Sequence, residues 1–372
     1  MRRILILLVL LLPCPALACD LCVGASRRVS LAQEFEQAQV VVYGHIANPQ
    51  LDLKTGGGTT EFHFDKVIKD DAAFPRQKMI VLSRYLPIID PKQTPHYVMF
   101  YRLPAKNLEP YTGRQIASPA VLEFIAELHQ QRKDPVQVLV FAAKHLDHAD
   151  ANIAEEAFLA FAQADNKTIV KAAKLLAPAT VRQLLKTPDL EPEKLSLFAY
   201  LLGSCGNGDD AEQLRTLLKG SSPRNYKAAE GILAGYITMR PKEGWAYAHE
   251  LLKEKGNDKN FLLRFAALRT MRFFYNTHPE EAAAQVMKGM ETAIGQADIA
   301  DIAILDLSKW KRWEHTKLIV ACYDRPSHKS PIIKNSIVRY ALACPQPEAR
   351  ALVDRVRRQD PELVKYLEEE MK

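Results

Sequence analysis

The chain has 372 residues, 48% of them hydrophobic and 8% aromatic, with 50 Lys and Arg against 44 Asp and Glu for a formal net charge of +6. That composition can bury a core, and the length exceeds what one compact core holds, so two units or a repeat array are expected. The weak, dispersed excess of bases lacks the clustered basic face of a nucleic-acid-binding protein, and no nucleic-acid partner is expected.

The N-terminus reads as an export signal. Arg2 and Arg3 precede an apolar run from Ile4 to Leu12, and Ala16 and Ala18 supply the small side chains a signal peptidase requires. The run is shorter than the roughly 20 apolar residues of a membrane span. Residues 1–18 are therefore assigned to a signal peptide, and the mature chain to a periplasmic or extracellular location, beginning at Cys19. Cys14 and two positive charges leave with the signal. Five cysteines then remain, an odd number that does not form a disulfide framework.

Cys19 and Cys22 form a C-x-x-C pair at the new terminus. Several states are open to them: a local disulfide, which an oxidising compartment favours, a redox pair, a metal site with further ligands, or lipidation of Cys19. Ala16-Leu17-Ala18-Cys19 resembles a lipobox, and a lipid there would anchor the protein to a membrane; otherwise no membrane partner is expected. Haem attachment is excluded, because Val23 stands where His is needed.

Downstream, "SLAQEFEQA" at 30–38 has the spacing of a short amphipathic helix with Ser30 as its N-cap. Period-2 alternation then marks strands at 40–46, 59–69, 79–83 and 96–103. "KTGGGTT" at 54–60 lies between the first two, where glycine tolerates the positive φ of a hairpin turn. Four or five short antiparallel strands of this kind close most easily into a small barrel.

From residue 117 the period becomes helical. Fifteen segments carry it, at 118–132, 135–147, 152–164, 167–176, 192–204, 209–219, 224–239, 242–254, 259–275, 279–293, 297–308, 313–323, 331–344, 347–357 and 361–371. Short breaks separate them, and pairs recur about every 30 to 40 residues, the period of an α-solenoid. The fold class expected is α+β multidomain, with a small antiparallel barrel over 19–116 and an α-solenoid over 117–372.

Two resemblances bear on this plan. "FAAKHLDHADANIAEEAFLAFAQA" at 141–164, "FLLRFAALRTMRFF" at 261–274 and "IIKNSIVRYALACPQPEARALVDRV" at 332–356 resemble HEAT-type repeats. "CDLCVGASRRVSLAQEFEQAQVVVYGHI" followed by "FHFDKVIKD" is similar to the netrin-like, OB-type fold of the tissue inhibitors of metalloproteinases. The chain as a whole looks like exported bacterial proteins of uncharacterised function that pair these two parts. The inhibitor resemblance implies that the amine and carbonyl of a terminal Cys19 chelate the zinc of a target protease. In that family, however, one residue separates the first two cysteines and both are clamped by later cysteines. Here two residues intervene, and no cysteine occurs between Cys22 and Cys205.

Other chemistry-bearing residues have structural readings beside functional ones. His145 and His148 in "HLDHAD" are candidate metal ligands, or cations closing a helix. Trp310 and Trp313 in "KWKRWEH" are candidate binding residues, or core plugs on one helix face. Arg264, Arg269 and Arg272 read as a solvated face. Cys205, Cys322 and Cys344 read as structural thiols, the last two too far apart for a disulfide. Neither a catalytic motif nor a cofactor motif appears in a supporting context, so no catalytic residue and no cofactor are expected. The expected function is an exported, non-enzymatic scaffold that binds an exported protein, in an oligomeric state the sequence leaves open. The alternatives are a metalloprotease inhibitor acting through Cys19 and a C-x-x-C redox or metal-handling protein.

Overall fold

A computed structural model describes residues 19, 21–22, 25–90, 92–104, 107–254 and 258–371. The expected signal peptide lies outside them. The chain forms two compact units that part between Ala172 and Ala173, whereas the change from strand to helix comes earlier, after Gln115.

The first unit opens with helix α1, Leu31–Gln37. Ser30 caps it as the sequence indicates: its hydroxyl accepts from the Gln33 backbone N–H, and the Gln33 side chain accepts from the Ser30 N–H. Five strands follow, β1 Val40–Leu51, β2 Gly58–Lys69, β3 Met79–Leu82, β4 His96–Arg102 and β5 Glu109–Gln115. Gly56 holds φ +70 in the β1–β2 connection, the left-handed conformation that glycine adopts without a Cβ penalty.

All pairings are antiparallel, in the order β3-β2-β1-β4-β5. The sheet is open, which corrects the expectation of a closed barrel. β3 has four residues, too short an edge to close against β5, and β5 carries Pro110, which has no N–H to donate. One face of the sheet buries Val40, Val42, Ile46, Phe62, Met99 and Tyr101, with Phe74, Leu82 and Leu103 packed against them. The other face is also buried at one end, through Val41, Val98 and Phe100.

Helices α2 Ala120–Gln131, α3 Pro135–Ala143, α4 Ala151–Gln163 and α5 Asn166–Ala173 follow the sheet. α1 is tied to α4 by the buried carboxylate of Glu156, which accepts from the Leu31 N–H (2.8 Å) and the Ala32 N–H (3.2 Å). Those are donors that a helix start leaves without an internal partner. Lys69 Nζ donates to the Phe35 carbonyl at the other end of α1, at 2.7 Å. The helix is thus fixed to both the sheet and α4.

The second unit is a helical, repeat-like array: α6 Pro178–Leu185, α7 Pro192–Cys205, α8 Gly208–Lys219, α9 Pro223–Lys227, α10 Ala229–Met239, α11 Pro241–Lys253, α12 Asp258–Thr277, α13 Pro279–Ile294, α14 Ala300–Lys309, α15 Thr316–Cys322, α16 Pro331–Ala343, α17 Pro347–Gln359 and α18 Pro361–Glu370. Helix ends in this unit shift by up to three residues from the periodicity, and 313–323 opens with a 3-10 turn, Trp313–His315, before α15; two larger departures also occur. α6 is an additional short helix opened by Pro178. The segment 224–239 is divided at Ala228, whose N–H is shared among the carbonyls of Arg224, Asn225 and Tyr226.

Ion pairs join successive repeats of the array. Arg272 grips the buried Asp306 with Nε and Nη2 at 2.9 to 3.1 Å, 34 residues away. Arg264, itself buried, pairs with Asp298 at the same offset, and Arg269 pairs with Glu230. The reading of these arginines as a solvated face is therefore corrected: Arg269 and Arg272 reach acids on neighbouring helices and Arg264 reaches one in the turn before α14, partners that sequence spacing within one helix does not reveal.

Arg182 likewise holds Asp210 through two hydrogen bonds of 2.7 and 2.9 Å. Hydrogen bonding from Arg182, assisted by the Asn207 N–H, keeps this carboxyl below the usual carboxylate range. A carboxylate whose folded-state pKa is depressed stabilises the fold above its unfolded value, near 4, and that contribution disappears as pH falls through the depressed folded value. Asp210→Asn is accordingly expected to be less stable than the parent at pH 7 and to lose less on acidification below about pH 4. Fluorescence-monitored acid unfolding of both proteins checks this, and parallel acid limbs would exclude the assignment.

Candidate functional site

β1 is the middle strand of the sheet, and its pairing brings together histidines from three separate stretches of sequence. His45 on β1 stands directly opposite His63 on β2 and, on its other side, opposite His96 on β4. Alternation along β1 puts Val42 and Ile46 into the core, so His45 lies on the opposite face with Tyr43. The three rings form a row across this face where its burial ends. His45 and His63 stack at 5.4 Å between centroids, and His45 and His96 stand 5.9 Å apart. About two-fifths of each side chain is open to solvent.

A β-bulge delivers the carboxylate. Tyr43 pairs with Lys66 and Gly44 with Phe64, so Asp65 is the extra residue between them. Bulges re-aim side chains in this way. Asp65 points along the row: its two oxygens lie 2.9 and 3.1 Å from His45 Nδ1, and Oδ2 lies 3.7 Å from His96 Nε2. Gly44 permits the distortion, because a Cβ there would stand 2.0 Å from the His63 carbonyl oxygen.

One donor atom from each of His45, Asp65 and His96 lies within 4.8 Å of the other two. Donors around one zinc at about 2.1 Å are roughly 3.4 Å apart in a tetrahedral arrangement, so a small inward movement of side chains closes the set. Imidazole nitrogens with one carboxylate suit zinc, copper or nickel, whereas magnesium and calcium take all-oxygen sets.

The surroundings are ordered. Tyr43 stacks on His96 at 5.3 Å, and burial, then the Asp65 charge, pushes its hydroxyl pKa up. Glu61 accepts from Asn48 Nδ2 at 2.9 Å and lies 2.8 Å from His63 Nε2. These two hydrogen bonds, His63 first, hold the Glu61 carboxyl below its ordinary range.

The residues singled out from sequence lie elsewhere. Cys19 and Cys22 are both buried, and the Cys19 backbone nitrogen donates to the Ala162 carbonyl of α4 at 3.3 Å. His145 Nδ1 bonds the Phe141 carbonyl at 3.1 Å while its ring packs on Phe124 and Phe141. His148 Nδ1 accepts from the Asp150 N–H. Trp310 stacks on Tyr275 at 3.9 Å, and Trp313 meets Tyr340 edge-on at 5.2 Å. The two tryptophans do not share a helix face, because Lys311 at φ +56 interrupts the helix between them.

Cys205, Cys322 and Cys344 are free as expected. Burial, then Asp210, pushes the Cys205 thiol up to about 11, which makes it a poor nucleophile. Among the described residues no helix is long and apolar enough to cross a membrane.

Sequence reasoning missed the row because His45, His63 and His96 are 18 and 33 residues apart in sequence. The signal present was local: "YGHI", "FHFD" and "HYV" each set a histidine within an alternating strand. No protein-family model matches this chain, and a search of curated proteins finds no significant match.

Proposed function

We propose that this is an exported, non-enzymatic scaffold that holds a divalent transition-metal ion on its sheet and a protein partner on its helical array. The observation that carries the metal assignment is the convergence of His45, Asp65 and His96 from three strands on one spot. A bulge and a close-packed glycine supply that geometry. The array supports the scaffold half of the reading. Ion pairs at 31 to 34 residues, from Arg264, Arg272, Arg355 and Arg339, recur with the period of stacked helix pairs, and such stacks are used as protein-docking surfaces. The finer assignments, HEAT-like for the array and netrin-like for the sheet unit, belong to this proposal and rest on the sequence resemblances.

The test is calorimetric titration of the chelator-stripped mature protein with Zn2+, Ni2+ and Mg2+. One equivalent of Zn2+ or Ni2+ should bind, with Mg2+ inert. Absence of binding for all three would end the metal reading.

A further inference from the structure

We infer that His63 is the fourth ligand of the ion held by His45, Asp65 and His96, with Glu61 as the carboxylate that orients it. The assignment rests on the metal-binding reading above and specifies its coordination.

His63 is the direct cross-strand partner of His45, and their rings are stacked with planes 12° apart. Side chains so paired have Cβ atoms about 5 Å apart, so rotation of the side chain, with no movement of backbone, separates His63 from the cluster. It also precedes Asp65 by two residues on β2.

Its two nitrogens are differently engaged. Nε2 lies 2.8 Å from Glu61 Oε2, while Nδ1 has no hydrogen-bond partner among the described residues. Glu61 is held in turn by Asn48, itself at φ +46 in the irregular part of β1. A metal-ligating histidine characteristically donates its other ring N–H to a carboxylate, which fixes the tautomer and the ring plane. The Asn48–Glu61–His63 chain supplies that support already, on the only member of the row that lies outside the three-residue cluster. Glu61 is thus a positioning residue and His63 the ligand.

The consequence is functional. Three protein ligands leave a position for water or substrate, as in catalytic zinc sites, whereas four close the tetrahedron and hold the ion for structure or storage. A His3Asp set therefore fits a protein that retains its metal and does no chemistry with it.

The experiment uses the full mature chain loaded with Co2+ for spectroscopy and with Zn2+ for affinity. Wild type should show the intense visible absorption of four-coordinate Co2+. His63→Gln should weaken that band as water enters, and Zn2+ affinity should fall about 100-fold, at the upper end of what loss of an outer-shell partner costs. Glu61→Gln should lower affinity about 10-fold with the band retained. Wild-type affinity and spectrum in His63→Gln would overturn this assignment alone. Wild-type protein that binds neither ion would overturn it together with the metal reading. Loss in His63→Gln with Glu61→Gln unchanged would overturn the role of Glu61.

Discussion

Alanine at His45 or His96, or asparagine at Asp65, is expected to lower Zn2+ affinity by about 100-fold or more, on the order of 2.7 kcal/mol. Each supplies one of three donors that converge on the site, and losing even an outer-shell partner of a metal ligand costs about 10–100-fold. The affinity change is read by competition with a chromophoric chelator. A second readout is thermal: Zn2+ at 100 times its dissociation constant should stabilise the wild type by about 2.7 kcal/mol and the variants hardly at all. All three side chains are partly open to solvent, so the variants should fold without metal. Retention of wild-type affinity in any one of them would remove that residue from the site, and retention in all three would remove the site.

The second large effect belongs to the array, where α7 and α10 cross with backbones in contact. A Cβ on Gly203 would lie 2.2 Å from the Gly235 Cα, one on Gly231 would lie 2.0 Å from the Ser196 carbonyl oxygen, and one on Gly235 would lie 2.4 Å from that of Ala199. The crossing also satisfies a helix-start donor, since the Gly231 N–H reaches Ser196 Oγ at 3.1 Å. Two effects oppose each other when alanine replaces one of these glycines. Helix propensity favours alanine by about 1 kcal/mol, while forcing atoms into a filled core costs about 1–3 kcal/mol, occasionally more.

Overpacking wins here, because the atoms met are backbone and cannot rotate aside. Gly235→Val adds two more methyl groups and is expected to destabilise by about 3 kcal/mol or more, lowering the melting temperature by roughly 6–12 °C. Gly57→Ala is the control: a Cβ there meets nothing closer than the Thr55 hydroxyl at 3.4 Å. Unchanged melting of Gly235→Val would mean that the two helices separate at no cost.

Much of this architecture can be read along the chain. The Ser30 cap, the alternation of β1, β2 and β4, the glycine turn at Gly56 and the helical period after residue 117 each depend on residues within a few positions of one another. Local backbone preference and burial periodicity determine them without reference to the rest of the fold. Even so, α6 escaped the reading, because eight residues opened by Pro178 carry too few apolar repeats to stand out. Arg264 and Arg272 were misread, because their partners Asp298 and Asp306 lie one helix pair further on.

The histidine row and the metal site proposed on it depend on what the strands do to one another. Alternation within each strand tells which face His45, His63 and His96 occupy, but only inter-strand register tells that they meet. Register depends on where the ladder slips, and the slip between Tyr43 and Gly44 is what aims Asp65 at the two imidazoles. Sequence alone determined the elements, since hydrogen bonding and side-chain periodicity act over a few residues. The tertiary structure decided the open sheet, the paired arginines and the histidine row, because each depends on packing between segments tens of residues apart.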